Sequence, residues 1–82
     1  MDILQKKETI ALEGDINFTR VLRIRKMGEQ KILQHHKIQF DFSKVLQCDS
    51  SALALLLAWK RFAKLNNVEL EFFNVPASLL SL

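Results

Sequence analysis

The stretch from Lys37 to Leu65 constrains the fold more than any other part of the chain. Ile38-Gln39-Phe40-Asp41-Phe42 alternates large apolar and polar residues, the period of a strand with one face in a core. Ser43 to Cys48 reads as a loop that tucks Val45 and Leu46 into that core. Asp49-Ser50 then opens a helix running to about Leu65, where Asn66-Asn67 provides a left-handed stop. Wound at helical pitch, Ala52, Leu55, Leu56, Trp59, Phe62 and Ala63 form one wide apolar face. A half-buried strand followed by a helix with such a face predicts a sheet with the helix packed on it.

The flanking segments extend this pattern. Residues 2–13 read as a β-hairpin: Ile3-Leu4 begins one strand, Lys6-Lys7-Glu8 turns, and Thr9 to Glu13 alternates as the next, with Gly14-Asp15 ending it. Asn17 or Asp15 can cap a helix from Phe18 to about Leu33. Phe18, Val21, Leu22, Ile24, Ile32 and Leu33 share its inner face. Arg25 and Glu29 project into that face as an i,i+4 pair, and Gly28 predicts a weak point where the helix bends. Val68 to Phe73 alternates as a further strand. Pro76 suits the first turn of a last helix, which begins at Ala77 and stops with the chain; it either docks on the sheet or belongs to a longer native chain. The expected fold is α/β: one mixed sheet of four or more strands, an N-terminal hairpin plus parallel strands, with helices on one or both faces.

Eighty-two residues predict a single domain, 1–82, with a thin stability margin, because a domain of this size buries only about 60% of its unfolded surface. Twelve basic against nine acidic residues make a net charge of +3, too weak and dispersed to point to nucleic acid. Cys48 is the sole cysteine, so no intrachain disulfide forms. The N-terminus lacks a signal-peptide core, and the apolar run from Ala52 to Trp59 is too short to span a bilayer. The expected location is cytoplasmic, with any service to a membrane passing through a partner.

Catalytic and cofactor patterns are missing from the sequence. It holds no nucleophile elbow, Walker-type loop, dinucleotide-binding turn or metal-ligand spacing, and only two glycines. His35-His36 are adjacent and point apart, which suits loop residues better than co-ligands. Cys48 precedes a helix start, but Gln47 and Asp49 supply neither base nor positive charge, so it reads as a small core residue. The expectation is a non-enzyme without cofactor or metal. A different feature stands out on the main helix. Leu53 and Leu57 fall with Lys60, Arg61 and Lys64 on the polar side, headed by Ser50, and this mixed surface is the candidate partner-binding site. Asp49, Ser50 and Ser51 have three compatible readings: a helix cap, a phosphorylation site, and a hydrogen-bonding point in an interface.

Phe40-Asp-Phe-Ser, followed a few residues later by Asp49-Ser-Ser-Ala-Leu at a helix start, resembles the signature of STAS domains (sulphate transporter and anti-sigma factor antagonist). Leu4 to Ile16 is similar to the family's first two strands and the loop into its first helix. Within the family, the Gly14-Asp15-Ile16 segment and the Ala52-Leu-Ala-Leu-Leu-Leu helix look most like the small stand-alone STAS subunits of Mla (maintenance of lipid asymmetry) phospholipid ABC transporters. That resemblance implies a non-catalytic protein that binds the cytoplasmic ABC ATPase subunit and supports its assembly and activity, touching the inner membrane only through the transporter. Ser50 matches the threonine at the ATPase contact in that branch. Ser51 matches the serine phosphorylated in anti-sigma factor antagonists, which is the alternative function. Ala52 stands in place of the family's usual glycine, which would restrict the approach of a partner's backbone. The family continues through a full third helix, and this chain stops inside it.

Overall fold

The computed structural model describes residues 8–80. In chain order the elements are β1 (Glu8–Ile16), α1 (Val21–Leu33), β2 (Lys37–Cys48), α2 (Ser50–Leu65), β3 (Glu69–Phe73) and the short α3 (Ala77–Leu80). The sheet runs β1-β2-β3, and both pairings are parallel. The expected Ile3-Leu4 strand and its antiparallel pairing lie outside the described residues, while Glu8, assigned to the turn, is the first residue of β1. Both crossovers step the same way across the sheet, and right-handed crossovers of that kind put α1 and α2 on one face. The opposite face is polar. Thr9 Oγ1 donates to Gln39 Oε1 at 3.0 Å, Gln39 Nε2 donates to Glu71 Oε1 at 3.1 Å, and Lys37 pairs with Glu69 at 3.4 Å.

The structure departs from the sequence expectations in three segments. Ser43 to Cys48 is strand rather than loop, because β1 continues alongside it to Ile16 and offers backbone partners. The extra residues are absorbed by two register shifts, at Ala11/Glu13 and Gly14/Ile16, where β2 carries one more residue than β1. These irregularities turn Leu46 outward, 78% exposed, while Val45 packs at the edge of the core as expected. Secondly, Gly14-Asp15 does not end β1; Gly14 sits at φ +79 within the irregular stretch, a conformation that favours glycine. Thirdly, α1 starts at Val21. Asn17 Oδ1 accepts from the N–H groups of Thr19 (3.1 Å) and Arg20 (3.0 Å) and so shapes the turn before the helix, whereas Phe18 is 83% exposed. Leu22 and Leu33 are exposed as well, so the inner face of α1 is narrower than its apolar residues implied.

The core lies between the sheet and the two long helices. Ile38, Phe40 and Phe42 of β2 meet Ala52, Leu55, Trp59 and Ala63 of α2, all buried, with Leu56 beside them and Phe62 half-buried. Trp59 stacks on Phe40 with ring centroids 4.0 Å apart, and its Nε1 donates to the Arg25 carbonyl of α1 at 3.2 Å. Gly28 forms the other wall. A Cβ there would lie 2.2 Å from Trp59 Cζ2, so the helix accepts a poor helix former to admit the indole, and it runs unbroken through that position. Asn67, at φ +57, supplies the expected left-handed stop after α2. α3 docks through Leu79, which is buried in the same core.

Gly28→Ala should therefore destabilise the protein by roughly 1–3 kcal/mol through overpacking, despite alanine's better helix propensity. Combined with Trp59→Leu, which removes the clashing ring, its penalty should shrink well below additivity. Urea denaturation of the single and double variants by circular dichroism measures both terms.

Candidate functional site

The carboxylate of Asp49 organises the mouth of α2. It accepts from the Ser51 N–H at 2.9 Å and from the Ser51 hydroxyl, and its other oxygen accepts from the Phe18 N–H at 3.2 Å. The Asp49 N–H in turn donates to the Ile16 carbonyl at 3.2 Å. One residue thus caps α2 and ties it to the segment leading into α1. The Ser51 hydroxyl and then the Ser51 N–H hold the Asp49 carboxyl below the ordinary aspartate value of 3.8. Asp41 has a similar role lower in the sheet. It accepts from Asn74 Nδ2 at 2.9 Å, the Ser43 N–H at 2.9 Å and the Ser43 hydroxyl at 3.2 Å. The Asn74 amide, then the Ser43 N–H, hold its carboxyl low as well. Both aspartates of the sequence signature therefore have an evident structural role in joining chain segments.

The residues expected to meet a partner are arranged as follows. Ser50 is exposed at the start of α2; Ser51 is half-buried and engaged by Asp49. Leu57 is 51% exposed, and Lys60, Arg61 and Lys64 stand around it in solvent, with no ion pair among the described residues. Leu53 is partly buried against the core and presents less of itself than Leu57 does. The Ala52 methyl is wholly buried under α2, so it does not restrict a partner's approach, contrary to expectation. Cys48 is half-buried beside the core, with Sγ 3.9 Å from Ser78 Oγ.

Sequence reasoning missed the α1 side of this surface. An open groove of about 390 Å³ runs between the helices, with Phe18, Val21 and Leu22 on one wall and Ser50, Ala54 and Ala58 on the other. Phe18 and Leu22 have the helical spacing of core residues, but spacing does not tell how much of a helix face its neighbours cover. The Arg25–Glu29 pair, 3.0 Å apart as expected, was the available signal that this flank meets water. Among the described residues no cluster of side chains could hold a metal ion, and no helix is long and apolar enough to cross a membrane.

The family model described as "Mlab, STAS domain" matches residues 1–82. The chain belongs to the STAS family. The fold of this STAS domain is shared with the anti-sigma factor antagonist SpoIIAA in its unphosphorylated form, at a TM-score of 0.73 and 20% identity, over 99% of this chain and 76% of that one. It also resembles the crystal structure of Mglu, at a TM-score of 0.71 and 16% identity, over 85% of this chain and 17% of Mglu. No curated protein matches the STAS domain by sequence.

The lowered carboxyls give the domain an acid-sensitive term. An unfolded aspartate takes up its proton near 3.8, and the folded ones do so at lower pH, so the unfolded state binds more protons in between. The stabilisation is complete above that value and is lost as the pH falls through the folded values. Melting temperatures followed from about pH 5 to about pH 2.5 should fall, and should fall less steeply in an Asp41→Asn, Asp49→Asn double variant.

Proposed function

We propose that this STAS domain is a non-catalytic subunit of a bacterial inner-membrane phospholipid-transport ABC system that maintains outer-membrane lipid asymmetry. It binds the cytoplasmic ATPase subunit and supports its assembly and activity. It resides in the cytoplasm and reaches the inner membrane only through the transporter. The observation that carries this reading is the outer face of α2, where Leu57 lies exposed among Lys60, Arg61 and Lys64 below an exposed Ser50. An apolar anchor among cations that have no ion pair among the described residues suits a protein interface better than a solvated helix face. The description of the matching family supports the transporter branch. Leu53 contributes at the edge of the contact.

Co-purification with the ATPase subunit tests the proposal. Ser50→Ala combined with Leu57→Glu should weaken retention by roughly tenfold or more, as expected for loss of an interface anchor, with an unchanged circular dichroism spectrum. Retention equal to wild type overturns it.

A second reading, an anti-sigma factor antagonist switched by phosphorylation, has its own support in Ser51. Its hydroxyl lies at a helix N-terminus, where phosphate is electrostatically tolerated, and the SpoIIAA likeness fits this reading equally. Phosphate on Ser51 would bring roughly 1.5 to 2 negative charges beside the Asp49 carboxylate and dismantle the cap. Intact-mass analysis after incubation with ATP and the cell's own kinases decides this: an unmodified Ser51 counts against the switch.

A further inference from the structure

The charges of this domain are segregated. α1 and α2 carry Arg23, Arg25, Lys26, Lys31, Lys60, Arg61 and Lys64, against Glu29 as their acidic residue. The strands carry Glu8, Glu13, Asp15, Asp41, Glu69 and Glu71, against Lys37 and Lys44. A net charge of only +3 conceals a positive helical side and a negative sheet side. The groove between α1 and α2 lies on the positive side. A second hollow of about 150 Å³ shares Arg25 and Ala58 with it and is bordered further along by Glu29, Arg61 and Leu65. The two hollows lie one after the other along the seam of the two helices.

We infer that this seam receives an amphipathic α-helix of a partner protein, whose apolar stripe is flanked by carboxylates. The wall and floor contributed by α2 are small at Ser50, Ala54 and Ala58, one turn apart, so a second helix can approach closely and seat its ridge of side chains. Phe18 and Leu22 supply the apolar wall. The 16 residues of α2 span about 24 Å, room for roughly four turns of a partner. Charge decides which helix fits. Arg25 engages Glu29 through Nε, and its Nη nitrogens have no described partner; Arg61 has none at all among the described residues. Both border the seam and favour carboxylates on the helix between them. A bilayer would meet a convex apolar face more readily than a recess between two helices.

This inference rests on the proposed role as a protein-binding subunit and extends its contact from α2 to α1. The test is selection against the full chain from a displayed library of helical peptides with randomised surface positions. Enriched peptides should combine apolar residues at i, i+3, i+4 and i+7 with Asp or Glu beside them. They should perturb the NMR signals of Phe18, Leu22, Ala54 and Ala58. Ala54→Arg, a change at an exposed position, should weaken their binding roughly tenfold or more, and Arg25→Glu with Arg61→Glu should shift the selection towards basic peptides. Enrichment without acidic bias, no enrichment, or binding indifferent to Ala54→Arg overturns the inference. So does binding to vesicles rich in anionic phospholipid that is lost in Ala54→Arg, since the seam would then be a lipid-facing surface. The ATPase co-purification separates the two proposals. Loss with Leu57→Glu but full retention with Ala54→Arg leaves the α2 contact standing and overturns the seam. Selected acidic helices seated in the seam, without any ATPase retention by the wild type, support the seam and overturn the ATPase reading.

Discussion

The insertion of Trp59 between Phe40 and Gly28 is the contact on which the rest of the structure depends. Through this one side chain α2 touches both β2 and α1. The stack on Phe40 sets α2 against the middle strand of the sheet. The space left by Gly28 sets how closely α1 approaches α2, and the bond from the indole N–H to the Arg25 carbonyl satisfies the ring's polar atom without a buried orphan. Trp59 is the largest of the fully buried side chains, and in a domain with so small a core the helix–helix spacing follows from this wedge.

That spacing has consequences at the surface. Because both helices lie on one face of a parallel sheet, their seam faces outward, and it opens into a groove where Ala54 and Ala58 are too small to fill it. Asp49 fixes the upper end of the seam by capping α2 while holding the Phe18 N–H. The same carboxylate therefore determines where Ser50 and Ser51 stand relative to α1. The bare face of the sheet, meanwhile, is laced by Thr9, Gln39, Glu71, Lys37 and Glu69, which leaves the helical side as the apolar and cationic one.

Much of this was legible in the residues. The strand-helix pair from Ile38 to Leu65 was readable because its two periods are clean, and the buried side of α2 follows the predicted face, with Phe62 at its margin. The Arg25–Glu29 pair and the left-handed Asn67 also follow from local rules. Other parts were not legible. β2 runs on through Ser43 to Cys48 only because β1 lies alongside, and pairing with a distant strand leaves no local mark. Gly28 looked like a defect because its partner is a residue 31 positions away. Phe18 and Leu22 looked like core because burial depends on what covers a face.

The sequence by itself determined the order of strands and helices from β1 onward, the capped start of α2 and its core-facing side, since spacing and capping act within a few residues along the chain. It also carried the STAS motif, whose two aspartates turn out to bind chain segments together. Tertiary structure alone decided the one-sided placement of the helices, the seam with its apolar walls, and the separation of positive from negative faces. Each of these depends on which distant residues become neighbours, and that is settled by packing around Trp59 rather than by any local pattern.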